Sequence, residues 1–152
     1  MVGFAPDEIN TAEPTRSARL KWVVVVRDDL APGLAVNAAV CVAAATGQAV
    51  TGLLGPAAVD ATGSVHPGLP WAGCSILAAD AAQLAELRAK AIESDGMYVA
   101  DMPADAQLTR VYDEYLAAVK EKSEPEYYAV GLIGPRNRVD RLVKRLALLG
   151  AG

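Results

Sequence analysis

Four consecutive valines, Val23 to Val26, constrain this chain more than any other feature. In a strand, successive side chains point to opposite faces, so an unbroken apolar run requires cover on both sides. That places the strand in the middle of a sheet with helices above and below it. Arg27, Asp28 and Asp29 end the run, and Pro32-Gly33 turns the chain. From Leu34 to Thr46 nearly every residue is apolar and small, with Gly47 as a stop. The pattern predicts a helix buried over most of its surface. It is too short for a membrane span, which needs about 20 apolar residues.

A chain of 152 residues fits one domain. Residues 1–19 are expected as a flexible N-terminal arm and 20–152 as a single α/β domain. With 53% apolar and 21% charged residues, the chain should be compact. Its net charge of −4 disfavours nonspecific attraction to nucleic acid or anionic lipid. Asp7, Glu8 and Glu13 sit in an opening segment without an apolar core, so it does not read as a signal peptide. A cytoplasmic location is therefore expected, with Cys41 and Cys74 as reduced thiols and Cys41 buried in the helix.

The alternation continues along the chain. Residues 48–70 form a long Gly/Pro/Ala/Val-rich connection in which Ala49 to Leu54 is a candidate short strand. Cys74 to Ala78 reads as a strand, and Asp80 caps a helix over Ala81–Glu93 with Leu84, Leu87 and Ile92 inward. Met97 to Ala100 is a further strand, followed by Asp101. Pro103 opens a helix with Leu108, Val111, Tyr112, Tyr115 and Val119 on one face. Tyr127 to Ile133 is the fourth clear strand. Gly134-Pro135 then turns into a helix with Val139, Leu142, Val143 and Leu146 facing the core. The expected architecture is an α/β fold, a three-layer α/β/α sandwich around a central, mostly parallel (mixed) sheet of about four strands.

Val25-Val26-Arg27-Asp28-Asp29-Leu30, Gly33, Ala38-Ala39, Ala100-Asp101, Ile133-Gly134-Pro135 and Leu146 to Leu149 follow one another in a recognisable order. Together they resemble the superfamily of type 2 peptidyl-tRNA hydrolases, and within it the uncharacterised bacterial family called domain of unknown function 2000. The resemblance covers most of residues 20–149 and implies the hydrolase fold. It does not carry the activity. The hydrolases place a lysine where Val36 stands, and a glutamine and a histidine where Val40 and Ala43 stand. The threonine that follows their aspartate is replaced by Asp105, unless an insertion brings in Thr109. Of their working groups, Asp101 alone transfers. Losing a single oxyanion donor typically costs about 10²–10³ in rate, so peptidyl-tRNA hydrolysis is not expected and tRNA is disfavoured as a partner.

Candidate ligand-binding residues lie at and just beyond the carboxyl end of the valine strand, where open α/β sheets bind ligands, with Asp101 after the strand 97–100 expected to share their crevice. They are Arg27, Asp29, Gly33, Asn37 and Asp101. Each has a structural alternative: a salt bridge between Arg27 and an aspartate, a turn bond for Asn37, a helix cap for Asp101. His66 is the lone histidine and, with Asp101, the catalytic candidate. On a loop it is equally a solvated side chain, and no spacing supports a triad with Ser64 or Cys74. One His and two distant Cys make no metal pattern, and no glycine-rich nucleotide fingerprint follows a strand. No cofactor is expected. Arg138, Arg141 and Arg145 recur on one face of the last helix, as a solvated basic face or a phosphate contact.

Two functional classes remain. One is a noncatalytic protein binding a small molecule or a protein partner, with a homodimer as a candidate assembly and no membrane partner. The other is a hydrolase of peptidyl-tRNA or another ester or amide, with a site rebuilt from Asp29, Asn37, His66 and Asp101. Convergence of those four side chains separates the two.

Overall fold

A computed structural model of the chain describes residues 1–151. Its elements are β1 (Leu20–Arg27), α1 (Pro32–Ala49), β2 (Ala58–Val59), β3 (Val65–His66), β4 (Ser75–Ala79), α2 (Ala81–Ile92), β5 (Tyr98–Pro103), α3 (Asp105–Leu108), α4 (Tyr112–Lys120), β6 (Tyr127–Pro135) and α5 (Arg136–Val143). The main sheet runs β4-β1-β6-β5. β1 pairs with β4 in parallel and with β6 antiparallel, and β6 pairs antiparallel with β5. Three strands thus point one way, yet two of the three ladders are antiparallel because β6 runs against both of its neighbours. The sheet is mixed and has four strands, but its pairing is not mostly parallel.

The valine run sits as its sequence requires. Val24 and Val26 join a core with Trp22, Ala35, Ala38 and Val42 under α1, while Val23 and Val25 join a second core with Leu84 and Leu87 of α2 and Val139 of α5. All four valines are at most 1% exposed. Thr46, the one polar side chain buried in α1, satisfies its hydroxyl by donating to the Val42 carbonyl at 2.8 Å.

The expected burial of α1 is corrected. Ala35, Ala38, Val42 and Thr46 form a single buried stripe, while Val36 and Val40 are 63% and 58% exposed and Cys41 is also exposed. The helix lies over β1, β6 and β5 and leaves the β4 side of the sheet without a helix on that face.

Other expectations shift in smaller ways. Residues 1–19, expected as a flexible arm, lie against the domain. Phe4 is buried, its amide donates to the Thr51 carbonyl at 2.8 Å, and Arg19 pairs with Glu8 at 2.6 Å. Ala49 to Leu54 forms isolated bridges rather than a strand, and an exposed two-residue hairpin, β2–β3, occupies the loop instead. Asp80 does cap α2, accepting from the Gln83 amide at 2.8 Å. Ala91 takes the inward place expected of Ile92, because the stripe continues from Leu84 and Leu87 by one turn.

Pro103 ends β5 instead of opening a helix, and the expected helix is split into α3 and α4. No residue of α4 is buried. The closing Leu-rich segment is not helical. α5 stops at Val143, and the chain then lies along the free edge of β4. There the Ala78 amide donates to Ala147 at 2.9 Å and the Leu149 amide donates to Ile76 at 3.0 Å. Covering an open strand edge satisfies backbone groups that a longer helix would leave exposed on β4.

Candidate functional site

The polar candidates occupy four separate places, each already engaged. Arg27 donates to both carboxylate oxygens of Asp29, at 2.6 and 3.3 Å, and its guanidinium lies over the Tyr128 ring at 5.1 Å. The hydrogen bond from Arg27 holds the Asp29 carboxyl below its usual range. Gly33 has open space around the position of a Cβ, so no close approach demands a glycine there. The Asn37 side-chain oxygen accepts from Gln107 at 3.0 Å, which ties α3 to α1.

Asp101 lies on the other face of the sheet. It pairs with Val130, whose side chain belongs to the α2–α5 core, and it accepts from Arg88 of α2 at 2.8 Å. Arg88 also lies over the Tyr127 ring at 5.3 Å. Burial raises the pKa values of Tyr127 and of Tyr115, and the neighbouring Asp101 carboxylate pushes both in the same direction. A strand partner, not a helix cap, is what Asp101 has become.

His66 sits in the exposed β2–β3 hairpin, 2.9 Å from Asp60. The Asp60 carboxyl, held to about 2 chiefly by the Thr62 hydroxyl and then by His66, also accepts from the Thr62 and Ser64 amides. This is a carboxylate-centred turn. Ser64 makes no bond to His66 in it. Cys74 keeps exposed surface, but desolvation raises its thiol pKa, the reverse of what an activated nucleophile needs. Among the described residues, no group of three or more His, Cys, Asp and Glu could hold a metal ion. No helix among them is long and apolar enough to cross a membrane.

The sequence did not disclose the concave site that the fold builds. Between the exposed side of α1 and the uncovered face of β4 lies a groove of about 510 Å³. Val36, Ala39, Val40 and Ala43 form one wall, Ile76 and Cys74 the other, and Trp22, Val24 and Val26 the floor. Apart from the Trp22 indole and the Cys74 thiol, every lining side chain is hydrocarbon. The Trp22 indole N–H is buried without a partner. The sequence signal was present in α1, an 18-residue helix without one charge. It reads equally as a fully buried helix, and the position of β4 decides between the two.

The family described as "Protein of unknown function (DUF2000)" matches residues 20–150. The chain belongs to this family. A solved structure of Atu0240, a protein of unknown function from Agrobacterium tumefaciens strain C58, superposes on this DUF2000 chain with a TM-score of 0.76. The two share 21% identity over 86% of this chain and 97% of that one, which shows a common fold. No curated protein matches.

The DUF2000 match begins at β1 and takes in both walls of the groove, so the groove lies inside the family's own segment. The residues that sequence reasoning missed are Arg88, Tyr127 and the buried Asp105, which pairs with Lys122 and leaves its other oxygen unpartnered. Arg88 is a surface residue by type, and nothing in its spacing marks Asp101 as its partner 13 residues on.

Proposed function

We propose that this chain is a noncatalytic binding protein that takes a small apolar ligand in the groove between α1 and β4. One observation carries the proposal. The groove has an almost wholly hydrocarbon lining and room for a ligand, while the polar candidates are dispersed and internally paired. Ligand pockets typically enclose about 300–1,000 Å³ and are predominantly apolar. A groove of about 510 Å³ falls within that class.

The resemblance to type 2 peptidyl-tRNA hydrolases points the same way. Val36, Val40 and Ala43 stand where those enzymes keep a lysine, a glutamine and a histidine, and all three line the groove. We read the chain as a hydrolase-like fold whose working side chains have been exchanged for apolar ones, in a cytoplasmic setting that keeps Cys41 and Cys74 reduced. tRNA is not its partner on this reading. The alternative, a hydrolase rebuilt around Asp29, Asn37, His66 and Asp101, needs those side chains to share a pocket. No such convergence supports it.

Titration with the neutral probe N-phenyl-1-naphthylamine tests this, with the rise in probe fluorescence as the signal. The expected result is saturable binding that weakens at least about tenfold in Val36→Asp and Val40→Asp, because a carboxylate on an apolar wall must be desolvated. Both residues are exposed, so the variants should fold, and circular dichroism checks that they do. Absence of saturable binding, or equal binding by the variants, would overturn the proposal. So would a stable dimer that Val36→Asp dissociates, since the groove would then be a subunit interface.

A further inference from the structure

A second cleft, of about 460 Å³, lies on the opposite face between α2 and α5. Leu87, Leu142 and Leu146 form its apolar floor, and Lys90, Arg141, Lys144 and Arg145 stand around it. Glu86 is the one acid in the lining and is paired with Lys90 at 2.7 Å. Three positive charges are left uncompensated in a chain whose net charge is −4.

The partners of the other basic residues make this concentration significant. Arg136 donates to the carbonyls of Ala18 and Thr15, and Arg138 donates to that of Asp95. Lys21 takes up Asp140, the one acidic residue of α5. Arg19, Arg27, Arg88 and Lys122 each have a carboxylate. Among the described residues, Arg16, Arg110, Lys120, Arg141, Lys144 and Arg145 have no such partner. The last three share this cleft.

Like charges gathered over a concave apolar floor raise the local positive potential, which favours an anion there. Arginine presents a planar fork suited to phosphate oxygens, and lysine adds a point charge. We infer that the α2–α5 cleft is a binding site for a small organic phosphate. Its charged group meets Arg141, Lys144 and Arg145, and its apolar body lies on Leu87, Leu142 and Leu146. This site is independent of the α1–β4 groove. A solvated basic face would bind anions without regard to which cations remain, whereas a site requires these three.

Thermal shift and calorimetry with phenyl phosphate test the inference, using inorganic phosphate and phenol as comparison probes. Phenyl phosphate should raise the Tm by several degrees at a hundredfold excess over its Kd. Inorganic phosphate should bind more weakly and phenol not at all. Arg141→Gln combined with Arg145→Gln should weaken phenyl phosphate binding about tenfold or more, as expected for lost charge-assisted hydrogen bonds. Arg110→Gln with Lys120→Gln changes the net charge equally and should leave binding intact. All four side chains are exposed, so neither variant removes core packing.

Equal weakening by the two double variants would overturn the inference in favour of diffuse electrostatics. Failure of phenyl phosphate while a duplex oligonucleotide binds would overturn it in favour of an extended nucleic-acid surface. Absence of any shift at millimolar probe would overturn it outright. Val36→Asp should leave phenyl phosphate binding unchanged, so the two sites fail or stand separately.

Discussion

Gly131 of β6 lies directly beneath Val42 of α1, so close that a Cβ on the glycine would overlap a Val42 methyl group. Val42 is 1% exposed and belongs to the core that joins α1 to the sheet. The missing side chain thus sets how closely the helix settles, and through that the width of the groove on its far side. Gly131→Ala should destabilise the protein by about 1–3 kcal/mol, the usual cost of overpacking a core. Urea unfolding would measure it. The combination Gly131→Ala with Val42→Ala should recover part of the loss if this overlap is its cause.

Asp101 and Asp29 look alike in sequence, each an aspartate at the end of a strand, but the structure separates them. Asp101 is 19% exposed and bound to Arg88, which packs on Tyr127, while Asp29 is 63% exposed and bound to Arg27. Removing Asp101 leaves a part-buried guanidinium without its carboxylate, so Asp101→Ala should cost about 1–3 kcal/mol. Asp29→Ala removes an exposed carboxylate, and Arg27 keeps Glu126 at 3.8 Å and the Tyr128 ring, so the loss should be no more than about 1 kcal/mol. Paired denaturation curves on the two variants would show the difference, and equal losses would contradict this assignment.

These cases show what the residues disclosed and what they withheld. The valine run required two covered faces, and Val23 to Val26 are divided between two cores as that pattern demands. The Asp80 cap was legible because it is local, spanning only the three residues to Gln83. Long-range relations were not legible. β6 between β1 and β5, Arg88 beside Asp101 and the exposure of Val36 all depend on where distant segments meet. The candidate site suffered most. Strand-end aspartates and a lone histidine attract attention by type, whereas a groove made of valine and alanine carries no such mark.

The N-terminal segment supplies a pH dependence. The Arg19 side chain, then the Ala5 amide, hold the Glu8 carboxyl at about 2, against its ordinary 4.5. A carboxyl whose folded pKa is depressed binds fewer protons folded than unfolded. Its contribution is therefore fully present above about pH 4.5 and is lost as the pH falls toward 2. Tm measured across that window should fall less steeply for Glu8→Gln than for the parent chain. Asp60 titrates in the same range, also held to about 2, so Asp60→Asn is the necessary companion variant. Identical slopes for Glu8→Gln and the parent would show that the Arg19 contact does not persist in solution.

The C-terminal strap makes the last prediction. Residues 147–149 pair with the outer edge of β4, Leu148 opposite Leu77, and Leu149 reaches the α1–β4 groove. Without the strap, β4 would present a row of unpaired amides and carbonyls beside an apolar groove, a template for pairing with another chain. Ending the chain after Arg145 should therefore lower the Tm and produce concentration-dependent self-association in sedimentation experiments. Leu149→Pro separates the two causes, because it removes the amide that donates to the Ile76 carbonyl and leaves most of the segment's apolar surface in place, so self-association in this variant comes from the opened edge. A truncated chain that stays monomeric with an unchanged Tm would show that the β4 edge needs no cover.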